Sequence, residues 1–382
     1  MKFCIISNDL HTVRNFRGDL LADIAAKGHQ IYILAPNIDS YPDDQIYFQQ
    51  LGYQLYAYPL QKMGTNPVAD FQTCIKILQQ LHKIKPDKVL CYTIKPVIYG
   101  TLAATLAKVP QRFILLSGLG YAFQENQSAG ALKYVKKIFN TLFRMALRCS
   151  NGIIFQNRDD IELLEQLGHL PKHVPTTIVN GSGVNTRHFQ AMPLIKSLDG
   201  ACRPIFIMIA RLLKDKGIYE YITAAQAIKA QNRMAEFHLV GWIDENPAAI
   251  AQQELQTWID SGLIQYWGKL NDVRPAIAQA NVFVLPSYRE GIPRAVLEAM
   301  SMGRAVITTD APGCKETVKH GYNGLKVAVK SADALQCAMQ QLIEHPQQIE
   351  SMGQYSLQYV QQHYDVHNVN RQMMVAMQML EF

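Results

Sequence analysis

Two apolar patterns alternate along the chain. Short, nearly continuous runs rich in β-branched residues are separated by longer stretches of helical period. The runs are KFCIISN, QIYILAP, KVLCYT, RFILLSG, GIIFQN and TTIVNG in the first half, then IFIMIA, EFHLVG, IQYWG, VFVLPS and AVITTD in the second. Strands that are apolar on both faces and alternate with helices predict parallel sheets covered on both sides. The expected fold class is α/β, with two facing Rossmann-like doubly wound domains. They are expected over 1–190 and 191–364, and the C-terminal helix 365–382 is expected to return to the first. The segment QAMPLIKSLDGACRP has two prolines, a glycine and no clear period, and reads as the linker.

Ligands of such sheets sit beyond the carboxyl ends of the strands. A cleft between the domains is therefore expected to be lined by 8–18, 93–96, 117–121, 211–217, 241–242, 268–271 and 289–294. Composition fits this picture: 382 residues, 48 % of them apolar, suffice for two ordinary cores. No run of about eighteen apolar residues occurs, and the N-terminus enters a strand pattern without a signal-peptide cleavage site, so a cytoplasmic protein is expected. Seven scattered cysteines without C-x-x-C spacing predict reduced thiols and no structural zinc. Charge is uneven. Before residue 190 there are 20 Lys and Arg against 13 Asp and Glu, and from there on 17 against 18, so the halves carry +7 and −1. The basic half suggests an acidic partner, whether nucleic acid, a membrane surface or a phosphate-bearing substrate.

The most informative stretch is YREGIPRAVLEAMSMGRAVITTD, in which Glu290 and Glu298 stand eight positions apart around a Gly-Ile-Pro step. It follows the strand-like VFVLPS. Pro293 suits the first turn of the next helix, and the N–H groups of Gly291 and Ile292, with the helix dipole, suit an anion. Glu298 lies further into that helix. Such carboxylates are often only solvated helix residues, and paired acids also serve glycosidases, but a hydrolase needs no phosphate cradle. Arg211 and Lys216 in ARLLKDKG supply one at another strand end.

This segment resembles the E-x7-E motif of the retaining glycosyltransferases of family 4, which have the GT-B fold. NGSGVNTRHF, ARLLKDKGIYEYITAA, LVGWIDENPAAI, YWGKLNDV and APGCKETVKHGYNGLKV fit the family in the same order. YTIKPVIYG and LSGLGYAF resemble the branch that builds bacterial surface polysaccharides and lipid-linked oligosaccharides. The resemblance implies transfer of a hexose or N-acetylhexosamine from a nucleotide sugar, with uracil as the base, to a lipid-linked (undecaprenyl-diphosphate-type) saccharide. It implies Glu290 on the donor sugar's hydroxyls and Glu298 on the ribose, a division suited to carboxylates, which accept paired hydrogen bonds from vicinal hydroxyls. Catalysis is assigned to Arg211, Lys216 and Glu290. Donor contacts add Glu298, Gly291, Ile292, Gly241, Trp242, Lys269, Leu270 and Gly18.

The acceptor is assigned to Arg14, Arg17, Thr93, Lys95, Gly118 and Tyr121, with the basic members of the set meeting a lipid diphosphate. Small residues such as Gly118 and Gly120 let a ligand approach the backbone, although a simple turn explains them too. No metal or other cofactor is expected, because no D-x-D accompanies the cations. His11 is a candidate base, although it has no metal-ligand spacing to any other histidine.

Three rivals remain in view. A GT-B sugar-nucleotide epimerase would need further acid/base carboxylates. A dinucleotide oxidoreductase lacks its G-x-G-x-x-G in SNDLHTVRNFRG. A basic nucleic-acid- or membrane-binding protein leaves the acidic loop and helix unexplained. Finally, residues 131–149, ALKYVKKIFNTLFRMALRC, carry Lys133, Lys136, Lys137, Arg144 and Arg148 without an acid. Leu132, Val135, Phe139, Leu142 and Ala146 recur at helical spacing, and Ile138, Phe143 and Leu147 widen that face. The segment is expected to dock on the inner face of the plasma membrane; packing against the sheet is the alternative.

Overall fold

The computed structural model describes residues 1–61, 66–119, 131–231, 234–244 and 246–380, without the side chains of 131–136. It divides into two compact units. The first comprises Met1–Ser182 with the C-terminal segment from His367, and the second comprises Gly183–Val366. The first break thus falls at 182/183 rather than at 190/191.

In unit 1, strands β1 (Lys2–Ile6), β2 (Gln30–Ala35), β3 (Gln54–Ala57), β4 (Lys88–Tyr92), β5 (Gln111–Leu116), β6 (Gly152–Phe155) and β7 (Thr176–Ile178) form one sheet in the order β3-β2-β1-β4-β5-β6-β7. Every pairing is parallel. Helices α1 (Leu10–Ala25), α2 (Pro42–Gln50), α3 (Pro67–Ile84), α4 (Thr101–Leu106), α5 (Ala131–Arg148) and α6 (Arg158–Gln166) connect them. Two apolar clusters pack on the sheet, one around Ile6, Val89 and Ile114 and the other around Ile5, Leu90 and Leu115. Adjacent residues of one strand join opposite clusters because side chains alternate across a sheet. That is why these strands read as continuous apolar runs.

Unit 2 repeats the plan. Strands β8 (Ile205–Ile209), β9 (Glu236–Val240), β10 (Gln265–Tyr266), β11 (Val282–Leu285), β12 (Ala305–Thr309) and β13 (Gly324–Val327) lie in the order β10-β9-β8-β11-β12-β13, again all parallel. Helices α7 (Ile218–Gln231), α8 (Gln252–Asp260), α9 (Arg274–Ala278), α10 (Arg294–Ser301), α11 (Ala332–Glu344) and α12 (Pro346–His363) cover it, and α13 (Val366–Ala376) follows. Both sheets reverse direction of winding beside their first strand, at β1/β4 and β8/β11, the positions where open α/β sheets take ligands.

Several expectations need revision. Strands β3 and β13 escaped the pattern reading; both lie at sheet edges and are four residues long. The linker segment is pinned to unit 2. Asn281 donates to the carbonyls of Ile195 and Arg203, and the fully buried Arg304 donates to those of Met192 and Pro193. The C-terminal segment is locked to unit 1 through buried Met373, Met374 and Met377, and the ammonium of Lys88 is 2.8 and 2.9 Å from the carbonyls of Met377 and Gln378. In α5, Phe143, Ala146 and Leu147 are buried and Phe139 and Leu142 pack against the same core. That part of the apolar stripe belongs to the protein interior. Its outward face carries Lys137, Ile138, Thr141, Met145 and Arg148. Among the described residues, no helix is long and apolar enough to cross a membrane.

Candidate active site

The loops at the carboxyl ends of β8, β9 and β11 in unit 2 bring several predicted residues together. After β8 the chain makes a short turn at Lys214–Lys216 that ends in Gly217, with φ +75°. A Cβ at Gly217 would stand 2.2 Å from the carbonyl oxygen of Pro286, so the turn lies directly on the end of β11. Tyr288 N–H donates to the Asp215 carbonyl and ties the two loops together. Lys216 Nζ thereby reaches Glu290 Oε1 at 2.6 Å, and the Ser287 hydroxyl donates to the same oxygen at 2.8 Å. Both members of the ion pair are largely shielded from water, which strengthens their attraction relative to a surface pair.

Arg211 leaves the same strand end and pairs with Asp244, at 2.9 Å, remaining half exposed. Gly241 sits so close to Ala210 that a Cβ would stand 1.9 Å from its carbonyl oxygen, and its N–H donates to the Gly268 carbonyl. Residues 210–212, 241–242 and 268–269 are thus one neighbourhood. Trp242 is 41 % exposed, and the Lys269 ammonium lies over its ring, 5.1 Å from the centre, in a cation–π contact. Leu270 packs instead against the core.

Helix α10 begins at Arg294, so Pro293 is its N-cap rather than part of its first turn. Arg294 Nε donates to Glu298 Oε1 at 2.8 Å across one turn. Burial pushes the Glu298 carboxyl above its ordinary pKa, the Arg294 guanidinium pulls it down, and Asp272 pushes it up. The loop before α10 is held from below: Glu290 N–H donates to the Pro312 carbonyl, and Gly313, with φ +82°, touches the backbone of Glu290 and Gly291. Gly291 and Ile292 are buried at that point.

Unit 1 treats its candidates differently. Asp9 caps α1 by accepting from Thr12 N–H, so most of the 8–18 stretch expected to line the cleft is helical, and Leu10, Val13, Leu20, Leu21 and Ile24 of that helix are buried. Arg14 is held by Asp44 at 2.8 Å and lies over the Tyr47 ring. Arg17 turns into the core, over the Tyr92 ring and against Met373. Gly18 sits inside the helix with open space beside it. None of these three joins Thr93 and Lys95, which line a cavity of about 270 Å3 with Asn8, Ser117 and Gly118 at the ends of β1, β4 and β5. The departure has a simple cause: the Asp9 cap starts a helix at Leu10, whose faces carry Arg14 to Asp44 and Arg17 into the core. His11 is paired with Asp44 at 2.8 Å and with Asn15 at 2.9 Å. Gly120 and Tyr121 lie outside the described residues.

Sequence reading missed Ser287, Asp244 and Arg294 as partners of the expected side chains, and missed Asp70 and Tyr99 entirely. Arg294 was within reach, since four residues before Glu298 is the spacing of a helical ion pair. Asp70, 25 residues from Lys95, left no such trace.

The chain as a whole is similar to known proteins. Residues 2–157 match the family described as glycosyl transferase 4-like, and residues 203–345 match glycosyl transferases group 1. The chain is 28 % identical over 354 residues, 90 % of each chain, to N,N'-diacetylbacillosaminyl-diphospho-undecaprenol α-1,3-N-acetylgalactosaminyltransferase of Campylobacter jejuni. It is 28 % identical over 280 residues to UDP-Gal:α-D-GlcNAc-diphosphoundecaprenol α-1,3-galactosyltransferase of Escherichia coli, covering 70 % of this chain and 69 % of that one. In fold it is similar to sucrose-phosphate synthase of Thermosynechococcus elongatus, with a TM-score of 0.78 at 18 % identity and coverage of 98 % and 97 %.

Proposed function

Because the chain belongs to the group 1, family 4 glycosyltransferases, a retaining family of GT-B fold, we propose that it moves a hexose or N-acetylhexosamine from a UDP-sugar to a hydroxyl of a saccharide carried on undecaprenyl diphosphate. The observation that carries this reading is the Lys216–Glu290 pair, held by three loops beside β8 and β11. The names of the Campylobacter and Escherichia relatives support the donor and acceptor classes.

Lys216 and Arg211 neutralise the negative charge that grows on the departing diphosphate. Glu290, oriented by Ser287 and Lys216, takes hydroxyls of the donor sugar, and Glu298 takes the ribose once Arg294 has set its rotamer. Trp242 forms a wall for the base. In the reaction, the bond from the anomeric carbon to the phosphate oxygen breaks while the acceptor oxygen bonds to that carbon on the same face. The acceptor proton passes to the departing phosphate oxygen, so no protein nucleophile is required.

Turnover should therefore persist in excess chelator. A panel of nucleotide sugars, tested for transfer and for protection against thermal unfolding with and without chelator, examines this directly. No protection by any UDP-linked donor would overturn the reading, and activity restored only by magnesium or manganese would overturn metal independence.

The acceptor is presented at the inner face of the plasma membrane, where the outward face of α5 meets anionic lipid. Lys137 and Arg148 flank the exposed Ile138 and Met145 on that face, and each cation near such a surface contributes about 1 kcal/mol. Reversing both to Glu should abolish cosedimentation with phosphatidylglycerol vesicles and spare transfer to a soluble acceptor; unchanged cosedimentation would remove α5 from the membrane contact.

A further inference from the structure

We propose that the cavity at the carboxyl ends of β1, β4 and β5 is a charge-neutral saccharide subsite, in which Lys95, anchored by Asp70 and through it by Tyr99, helps select the terminal sugar of the acceptor and does not hold its diphosphate. This deepens the transferase reading above and rests on it.

The first support is charge. Lys95, expected from the sequence to meet a phosphate, donates to Asp70 Oδ1 at 2.8 Å, and Asp70 reaches it from α3. Asp70 is buried and Lys95 mostly so, and together they bring no net charge to the cavity wall. The second carboxylate oxygen accepts from the Tyr99 hydroxyl at 2.8 Å. The donor site offers the half-exposed Arg211 besides its own Lys216–Glu290 pair, whereas the described lining of this cavity holds Lys95 alone to set against both Asp70 and a diphosphate. A sugar hydroxyl or acetamido group faces no such obstacle, since it both donates and accepts.

The second support is the backbone. Thr93 has φ +69°, a left-handed conformation that β-branched residues avoid. Such strain persists where surrounding structure imposes it, and it gathers at ligand sites. Here it turns the chain at the end of β4 so that Thr93, Ile94 and Lys95 all line the cavity. Gly118 faces them from the end of β5, itself at φ +102°.

The third support is unmet hydrogen bonding. Thr93 Oγ1 and Asn8 Oδ1 are both buried without a partner, and both residues belong to this cavity wall. Two neutral polar atoms in one wall match the hydroxyls of a pyranose, and the cavity, about 270 Å3, takes one sugar ring.

The test is titration calorimetry with the full chain saturated with UDP. The probes are the octyl α-glycosides of N-acetylglucosamine and N-acetylgalactosamine, and the 1-phosphates of the same sugars. One of the neutral glycosides should bind wild type, with the matching 1-phosphate within about threefold of it. Asp70→Asn and Tyr99→Phe, which change groups that position Lys95 rather than line the cavity, should each weaken the glycoside by about three- to tenfold, with UDP affinity unchanged. Asp70→Asn should also raise affinity for the 1-phosphate, because Lys95 loses its counter-charge. If Asp70→Asn does not fold cooperatively, Thr93→Gly serves: it should raise the melting temperature by relieving the left-handed strain, yet weaken the glycoside. The proposal is overturned if neither glycoside binds while UDP does, if the variants leave glycoside affinity unchanged, or if wild type prefers the 1-phosphate more than about tenfold in a manner lost in Lys95→Met. Failure of UDP itself to bind would instead sink the transferase reading, and this subsite with it.

Discussion

Lys216→Ala is expected to lower kcat/KM for transfer by about 10²- to 10³-fold, the scale of losing one preorganised charge at a site of developing negative charge. The structure makes the loss twofold in kind. The departing diphosphate loses a cation, and Glu290 loses the 2.6 Å contact that, together with Ser287, sets its orientation. Because the Lys216 turn contains no fully buried residue and Gly217 rather than Lys216 packs on Pro286, the variant should still unfold in one cooperative transition. Steady-state kinetics and thermal unfolding of the same preparation check both halves. Wild-type turnover in a folded Lys216→Ala protein would remove this residue from the catalytic set.

The second large effect concerns a residue with no side chain. In Gly313→Ala, the new methyl would lie 2.2 Å from the Gly291 carbonyl oxygen and 2.3 Å from that of Glu290. The loop must move, and the Glu290–Pro312 backbone bond moves with it. A displacement of about 1 Å in a positioning element costs about 10²-fold in rate, so activity should fall by that order while the melting temperature drops modestly. Gly303→Ala is the control. Gly303 has nearly the same backbone angle, φ +78° against +82°, but nothing stands within 4 Å of an added Cβ. It should share the conformational penalty of about 1–3 kcal/mol and keep its rate constants. Equal losses of activity in the two variants would mean that backbone strain, and not the Glu290 loop, explains the effect.

Both experiments act on contacts that join distant parts of the chain, and the same distinction separates what could be read from the sequence. The parallel α/β plan was legible because a strand buried on both faces must be apolar at nearly every position, as β1 and β11 are. The Glu290 and Glu298 motif was legible because its chemistry lies within nine consecutive residues. The two missed strands, β3 and β13, are four-residue edge strands whose sequences, QLYA and GLKV, are interrupted by Gln54 and by Gly324 and Lys326, so neither forms an apolar run even though β13 is largely buried. Tertiary structure alone decided which cations have partners. Arg14, Arg17 and Lys95 looked equivalent as basic residues near strand ends, yet one is paired with Asp44, one is buried beneath the C-terminal helix, and one is paired with Asp70. It likewise decided that Lys216 meets Glu290 across 74 residues, and that Phe143 and Leu147 of α5 face inward. A one-dimensional pattern records whether a residue is apolar and how often it recurs, which suffices for local elements. The charge a ligand meets depends on which opposite charge lies within about 4 Å, and only the folded chain sets that distance.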